Sequence, residues 1–281
     1  MKNIICLFFL CLNVYNGIAQ NGLEKVIVEK YYISTENDTL SNGYSGILPI
    51  GSVTYRIYLD LLPGYTFQAA YGSPDHELKL TTSTFFFNNI ENGDVIPNVI
   101  PRRTLKKNTV MLDSWLSAGA AGEQYYGVMN DFDDTIETIK HDKFFLENKN
   151  DKLNFGLTQK DGLLDAEMVP RPTFFGIDSL VNIFKYQHLG SVFKTKNGAW
   201  ACMGKGALGA DSLTENRVLI AQITTDGVFE FELNIQIGTP TKGVSQNYVA
   251  RNPIGNEIML PSLIFKSEEI NKRKKRVKRQ N

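Results

Sequence analysis

The sequence predicts an all-β protein, an antiparallel β-sandwich of jelly-roll character with few short helices, and three observations carry that expectation. Residues 53–61, VTYRIYLDL, alternate between Val53, Tyr55, Ile57 and Leu59 on one side and Thr54, Arg56, Tyr58 and Asp60 on the other. That is the period of a strand with one face to a core. Residues 217–237, RVLIAQITTDGVFEFELNIQI, set an Asp-Gly pair between two alternating runs, the strongest short-range hairpin signal. Elsewhere short apolar or aromatic runs are separated by turn residues, which argues for a sandwich over alternating helices and strands.

Taken in order, residues 23–33, LEKVIVEKYYI, are β-branched and aromatic enough to form a strand. A polar loop follows over 34–46, then the half-buried strand at 53–61, with Pro63 and Gly64 turning the chain into a hairpin partner at 65–71. LKLTTSTFFFN, 78–88, is a further strand, 93–107 a loop, and 109–118 a sheet-like stretch anchored by Trp115. From 120 to 195 the pattern loosens, with a helical or irregular segment at 131–141, short strands near 144–146 and 153–157, and a short helix at 179–186. In the stretch around Asp226 and Gly227, a type I′ turn would pair Thr225 with Val228. Val218, Ile220, Thr224, Phe229, Phe231, Leu233, Ile235 and Ile237 then share a core face. Glu230, Glu232, Asn234 and Gln236 share a partly wet face with Leu219, Ala221 and Ile223. An apolar segment at 257–265 closes a body that spans 21–265.

Residues 1–20, MKNIICLFFLCLNVYNGIAQ, have the layout of a cleaved secretory signal. The apolar run at 4–14 is well short of the roughly 20 residues that span a bilayer, so the chain is expected not to be membrane-spanning. Cys6 and Cys11 would leave with the signal, and Cys202 alone makes no internal disulfide. A mature chain of about 260 residues is long enough to be held by an ordinary core instead. The formal charge is zero, but without Lys2 and the tail 266–281 the chain has 21 basic and 28 acidic residues. That acidic body argues against nucleic acid as a partner. The tail, with KRKKRVKR at 272–279, is expected to be a disordered cationic extension.

The combination GSVTYRIYLDL, QAAYG, TTSTFFFN, LDSWLSAG, NGAW, NRVLIAQITTDG and FELNIQI, over 51–119 and 197–237, resembles a group of uncharacterised secreted β-rich proteins of marine and gliding bacteria. The resemblance implies an extracellular β-rich module and brings no catalytic residues. Some such proteins carry a C-terminal sorting domain for type IX secretion; this chain has its basic tail there, which departs from that route of attachment.

No residues combine into a recognisable catalytic or cofactor site. His76, His141 and His188 lack metal-ligand spacing, and zinc shared with Cys202 is a minor alternative to packing or solvated histidines. In NGAWACMGKGALG, Cys202 has the setting of a small hydrophobe beside a buried Trp rather than of a nucleophile. Lys205 is followed by Gly206 where a phosphate loop needs Ser or Thr. Asp131, Asp133 and Asp134, with Glu137, are candidate calcium ligands, weighed against a solvated acidic turn. Asp113 with Glu232 exemplifies a carboxylate pair for glycan hydrolysis, and Tyr31, Tyr32, Tyr125 and Tyr126 a carbohydrate platform, against the alternative that these rings fill a β core. The leading expectation is a secreted, non-enzymatic module acting in binding, adhesion or structure at the cell surface or outside the cell, with carbohydrate or envelope polymer as partner. The alternative is an extracellular hydrolase.

Overall fold

The computed structural model describes residues 21–35, 38, 48–107, 109–129, 161–186 and 189–268, and the backbone of 139–141 and 146–148. In chain order the strands are β1 (Leu23–Ile33), β2 (Val53–Leu61), β3 (Thr66–Gly72), β4 (Leu78–Thr82), β5 (Trp115–Leu116), β6 (Ala120–Gly122), β7 (Tyr125–Gly127), β8 (Ile139–His141), β9 (Leu146–Asn148), β10 (Leu163–Asp165), β11 (Thr173–Phe175), β12 (Val192–Thr195), β13 (Gly198–Ala201), β14 (Asn216–Thr225), β15 (Phe229–Glu232), β16 (Ile235–Gly238), β17 (Ser245–Val249), β18 (Ile258–Met259) and β19 (Ile264–Lys266). Among the described residues there is no α-helix, only short 3-10 turns such as Leu180–Phe184, which takes the place of the helix expected at 179–186. The fold is all-β and sandwich-like, as the alternation predicts.

One sheet has the order β1-β2-β14-β5. Facing it are β11-β13-β3-β16-β17-β18 and β12-β4-β15-β19, whose registers show them to be two halves of one bent sheet. Along β12 and β13, residues 192–195 pair with 81–78 and residues 198–201 with 72–69. Along β15 and β16, residues 229–232 pair with 82–79 and residues 235–238 with 70–66. Three long strands are therefore interrupted at one level. Asn234 stitches that break, its side-chain Nδ2 donating to the carbonyls of Tyr71 and His76 at 3.1 and 3.2 Å. Gly72 is required there, because a Cβ would lie 2.1 Å from the Thr195 carbonyl oxygen.

Between the two sheets lies the main core, built from Tyr55, Ile57, Leu59, Val218, Ile220 and Ile223 on one side and Phe67, Leu80, Phe193, Trp200, Phe229, Phe231 and Ile235 on the other. A second core lies on the other face of the first sheet. There Tyr31, Tyr58, Trp115 and Leu219 meet Ile100, Leu105, Met111, Leu112, Tyr125 and Leu163, from the loops after β4 and the small sheet β10-β7-β6. The first sheet is thus the middle of three layers.

This layering corrects several expectations. β2 is buried on both faces, not one. Its polar face is consumed by donors that reach the third layer's backbone: Arg56 Nη1 donates to Gly162 O at 2.8 Å and Tyr58 OH to Val128 O at 2.9 Å. Tyr31 OH of β1 donates to Asp161 O at 2.6 Å. Neither expected hairpin forms. β3 pairs with β13 and β16 rather than with β2. β14 pairs with β2 and β5, while β15 pairs with β4 and β19. Pro63-Gly64 and Asp226-Gly227 carry the chain from one sheet to the other instead of back along the same one. Within β14 a bulge between Leu219 and Ala221 shifts the alternation. Ala221 and Ile223 therefore enter the main core, while Gln222 and Thr224 turn towards the second core, the reverse of a strict two-residue period. Residues 109–118, expected to be sheet-like throughout, begin with a 3-10 turn at Val110–Leu112 and contribute only two residues to the sheet.

Candidate functional site

At one rim of the sandwich the chain leaves three elements together: Ser52 at the start of β2, Thr225 and Asp226 at the end of β14, and residues 83–87 beyond β4. With Leu48 and Pro49 they enclose an open cleft of about 360 Å³, within the size range of small-molecule sites. Its walls are mainly apolar. Phe86 and Phe87 are buried, whereas Phe85 is 47% exposed and presents its ring at the mouth.

The polar side of the cleft is a knot of hydroxyls. Thr225 Oγ1 lies 2.7 Å from Thr82 Oγ1 and 3.0 Å from Thr84 Oγ1, and accepts the Gly227 N–H at 3.0 Å. Ser83 Oγ accepts the Val228 N–H at 2.8 Å, and the Ser83 N–H donates to Val228 O at 3.0 Å. These bonds fix the turn that presents Asp226. Gly227 is needed here for space: its φ is not positive, and an added Cβ would come within 2.7 Å of the hydroxyl oxygens of Thr82, Ser83 and Thr84. The type I′ turn expected at this pair is therefore absent. The arrangement offers an exposed aromatic face, a carboxylate and a hydroxylated floor.

The residues singled out in the sequence lie elsewhere. Tyr31 and Tyr32 are fully buried, Tyr125 is buried and Tyr126 is half-buried, so they form no open platform. The Arg56 guanidinium lies 3.5 Å over the Tyr31 ring, and Tyr32 OH donates to Asp38 at 3.0 Å. Arg102 donates to the Tyr125 hydroxyl at 2.7 Å. Asp113 and Glu232 occupy different layers. Asp113 is fully buried and accepts the N–H of Asn89 at 2.7 Å and of Asp94 at 2.9 Å, clamping the loop between them. Burial pushes its carboxyl well above the usual carboxylate range. Glu232 faces outward on the far sheet, 3.3 Å from Arg251. They make no cleft between them.

His76 is buried, with Nε2 2.8 Å from Glu257 Oε2, which also accepts the Ile254 N–H at 2.7 Å. Tyr71 nearby is pushed up to about 12 by desolvation first and by the Glu257 charge second. Cys202 is a buried free thiol in the main core, and burial raises its pKa. Asp131, Asp133, Asp134, Glu137 and His188, the side chain of His141, the 1–20 segment and the tail beyond 268 lie outside the described residues. Among those described, no three His, Cys, Asp or Glu side chains come together to hold a metal ion. No helix there is long and apolar enough to cross a membrane.

No binding or catalytic motif marks the cleft residues, and Asp226 was read only as part of a turn, yet one signal was present. Three consecutive phenylalanines, 85–87, cannot all turn inward from an extended segment whose side chains alternate. Comparison of the chain with family models, with curated proteins and with solved structures finds no match.

Proposed function

We propose that this chain is an exported, non-enzymatic β-sandwich module that works by binding at the cell surface or outside the cell, and that the rim cleft is its ligand site. The observation that carries the site is the exposed Phe85 ring beside Asp226 and the hydroxyls of Ser83 and Thr84. A pyranose has an apolar C–H face and a rim of hydroxyl donors, which an aromatic ring and a carboxylate complement. Carbohydrate or envelope polymer is therefore the favoured ligand class. The signal-like 1–20 segment and the resemblance to secreted β-rich proteins support an extracellular setting.

A glycan array probed with the mature protein tests this reading. Phe85→Ala and Asp226→Asn should each weaken the bound signal by about tenfold, on the scale of one lost stacking or charged contact. No new reducing ends should appear on incubation. Glycan binding that is indifferent to both substitutions, or release of shortened sugars, would overturn it.

A further inference from the structure

We infer that the outer face of the β11-β13-β3-β16-β17 half of the bent sheet is a second binding surface, a flat platform for an uncharged, extended, β-1,4-linked glycan chain. None of its residues lines the rim cleft, and the inference stands apart from that site.

The register fixes which side chains face outward. Phe174, Trp200, Ala70, Ile235 and Tyr248 lie side by side across the five strands and belong to the main core or pack against it. In a pleated sheet their neighbours along each strand point the other way. One outward row is therefore Phe175, Ala199 and Tyr71, and the next is Ala201, Ala69, Gln236 and Asn247. Phe175 is 44% exposed and Tyr71 is half-buried, while the alanines beside them make a low floor. Phe175 and Tyr71 stand two strands apart, about 10 Å at the usual strand spacing, with only the Ala199 methyl between them in that row.

Charge and area name the occupant. None of the five strands contains a charged residue, although charged residues make up 21% of the chain. The other half of the bent sheet differs: Lys194, Lys79, Glu230, Glu232 and Lys266 take the outward positions of β12, β4, β15 and β19. Glu257, the acid whose charge reaches Tyr71, is held by His76 at 2.8 Å. A charged polymer finds no counter-charge on the neutral half, and an uncharged one meets no charge to desolvate. The two rows cover about 19 Å across the strands and about 10 Å along them, roughly 200 Å². A stable dimer buries about 800 Å² per partner, so the patch is too small for a second copy and suits a single ligand chain. In an extended β-1,4-linked chain each sugar is turned over relative to the next, so every second residue offers the same C–H face. Two such residues span about the separation of Phe175 and Tyr71, whose rings complement those faces, and Gln236 in the second row supplies an amide donor and acceptor for the hydroxyls.

The test is isothermal titration calorimetry of the mature protein with β-1,4-linked hexaoses of glucose, mannose and N-acetylglucosamine, beside α-1,4-linked maltohexaose, whose linkage curls the chain. At least one β-1,4-linked hexaose should bind more tightly than maltohexaose, with the same affinity at low and high salt. Its binding should persist in a Phe85→Ala chain, where the rim cleft has lost its ring. In that chain Phe175→Ala and Tyr71→Ala should each weaken it about fivefold, and Ala199→Arg, which sets a long charged side chain between the two rings, should abolish it. Phe175 and Ala199 lie outside both cores, so their variants read the surface whatever Tyr71→Ala does to the sheet, and urea midpoints check that each is folded. Failure of every β-1,4-linked hexaose to bind, affinity that falls with salt, or a dimer in sedimentation velocity that Ala199→Arg dissociates overturns the inference. Binding that needs Phe85 and not Phe175 removes the platform and leaves the cleft as the glycan site. Binding that needs Phe175 and not Phe85 keeps the platform and removes the cleft.

Discussion

Gly227 shows how a residue can be legible for one reason and required for another. Its place after Asp226 suggests a left-handed turn, whereas the structure needs the space its missing Cβ leaves among three hydroxyls. Gly227→Ala should therefore cost about 1–3 kcal/mol through overpacking. The two causes separate in a cycle. With the clash as cause, combining Gly227→Ala with Ser83→Ala and Thr84→Ala in urea denaturation gives a loss smaller than the sum. Strict additivity would restore the backbone explanation. The cleft beside it was hidden from the sequence for a related reason: Leu48, Ser52, Phe85 and Asp226 come from four separate stretches, and no spacing rule connects them. Only the FFF run marked the place.

At the scale of elements, alternation located β1, β2, β3, β4, β14 and β15 but not their partners. A two-residue period states which side chains share a face; it is silent on which sheet receives that face. The polar side of β2 looked wet because Thr, Arg and Tyr commonly face water, and here a third layer covers it and takes their hydrogen bonds. The energetic consequence falls on Arg56, whose Nε donates to Gln222 Oε1 at 2.8 Å while Nη1 reaches Gly162 O. Arg56→Met leaves Gln222 Oε1 buried without this donor and takes one donor from Gly162 O, which still accepts the Val128 N–H, so it should cost about 1–3 kcal/mol in chemical denaturation. Lys25→Ala removes a 3.5 Å pair with Asp60 from a largely exposed side chain and should cost under about 0.5 kcal/mol. Similar midpoints for the two variants would show that the donors of β2 do not hold the third layer. The bulge at Ile220 had one faint sequence signal: residues 218–221 are all apolar and suit either face, but strict alternation would put Gln222 on the core face with Val218 and Ile220.

Across the whole molecule, the middle sheet is shared property. β2 and β14 lie side by side although about 160 residues separate them in sequence, and their two faces serve different cores. Assembly of either core presupposes that long-range pairing, which places the chain among slow folders of high contact order. Composition and period were enough to indicate the sandwich class, since they report how much of the chain is strand. The third layer was illegible because its contributions are loops, two-residue strands and 3-10 turns, none of which has a period to read.

The two tryptophans fall one to each core, Trp200 between the facing sheets and Trp115 beneath the third layer. Nature has thus labelled the two halves of the packing with separate chromophores. Trp200 Nε1 is buried without a hydrogen-bond partner among the described residues, a dry setting that should place its emission to the blue. A Trp115→Phe chain then glows from the main core alone, and a Trp200→Phe chain from the second alone. If the shared sheet binds them into one cooperative unit, the two emission curves will superimpose along a denaturant titration. A second-core signal that fades first would reveal a molecule that sheds its outer layer while the sandwich beneath stays lit.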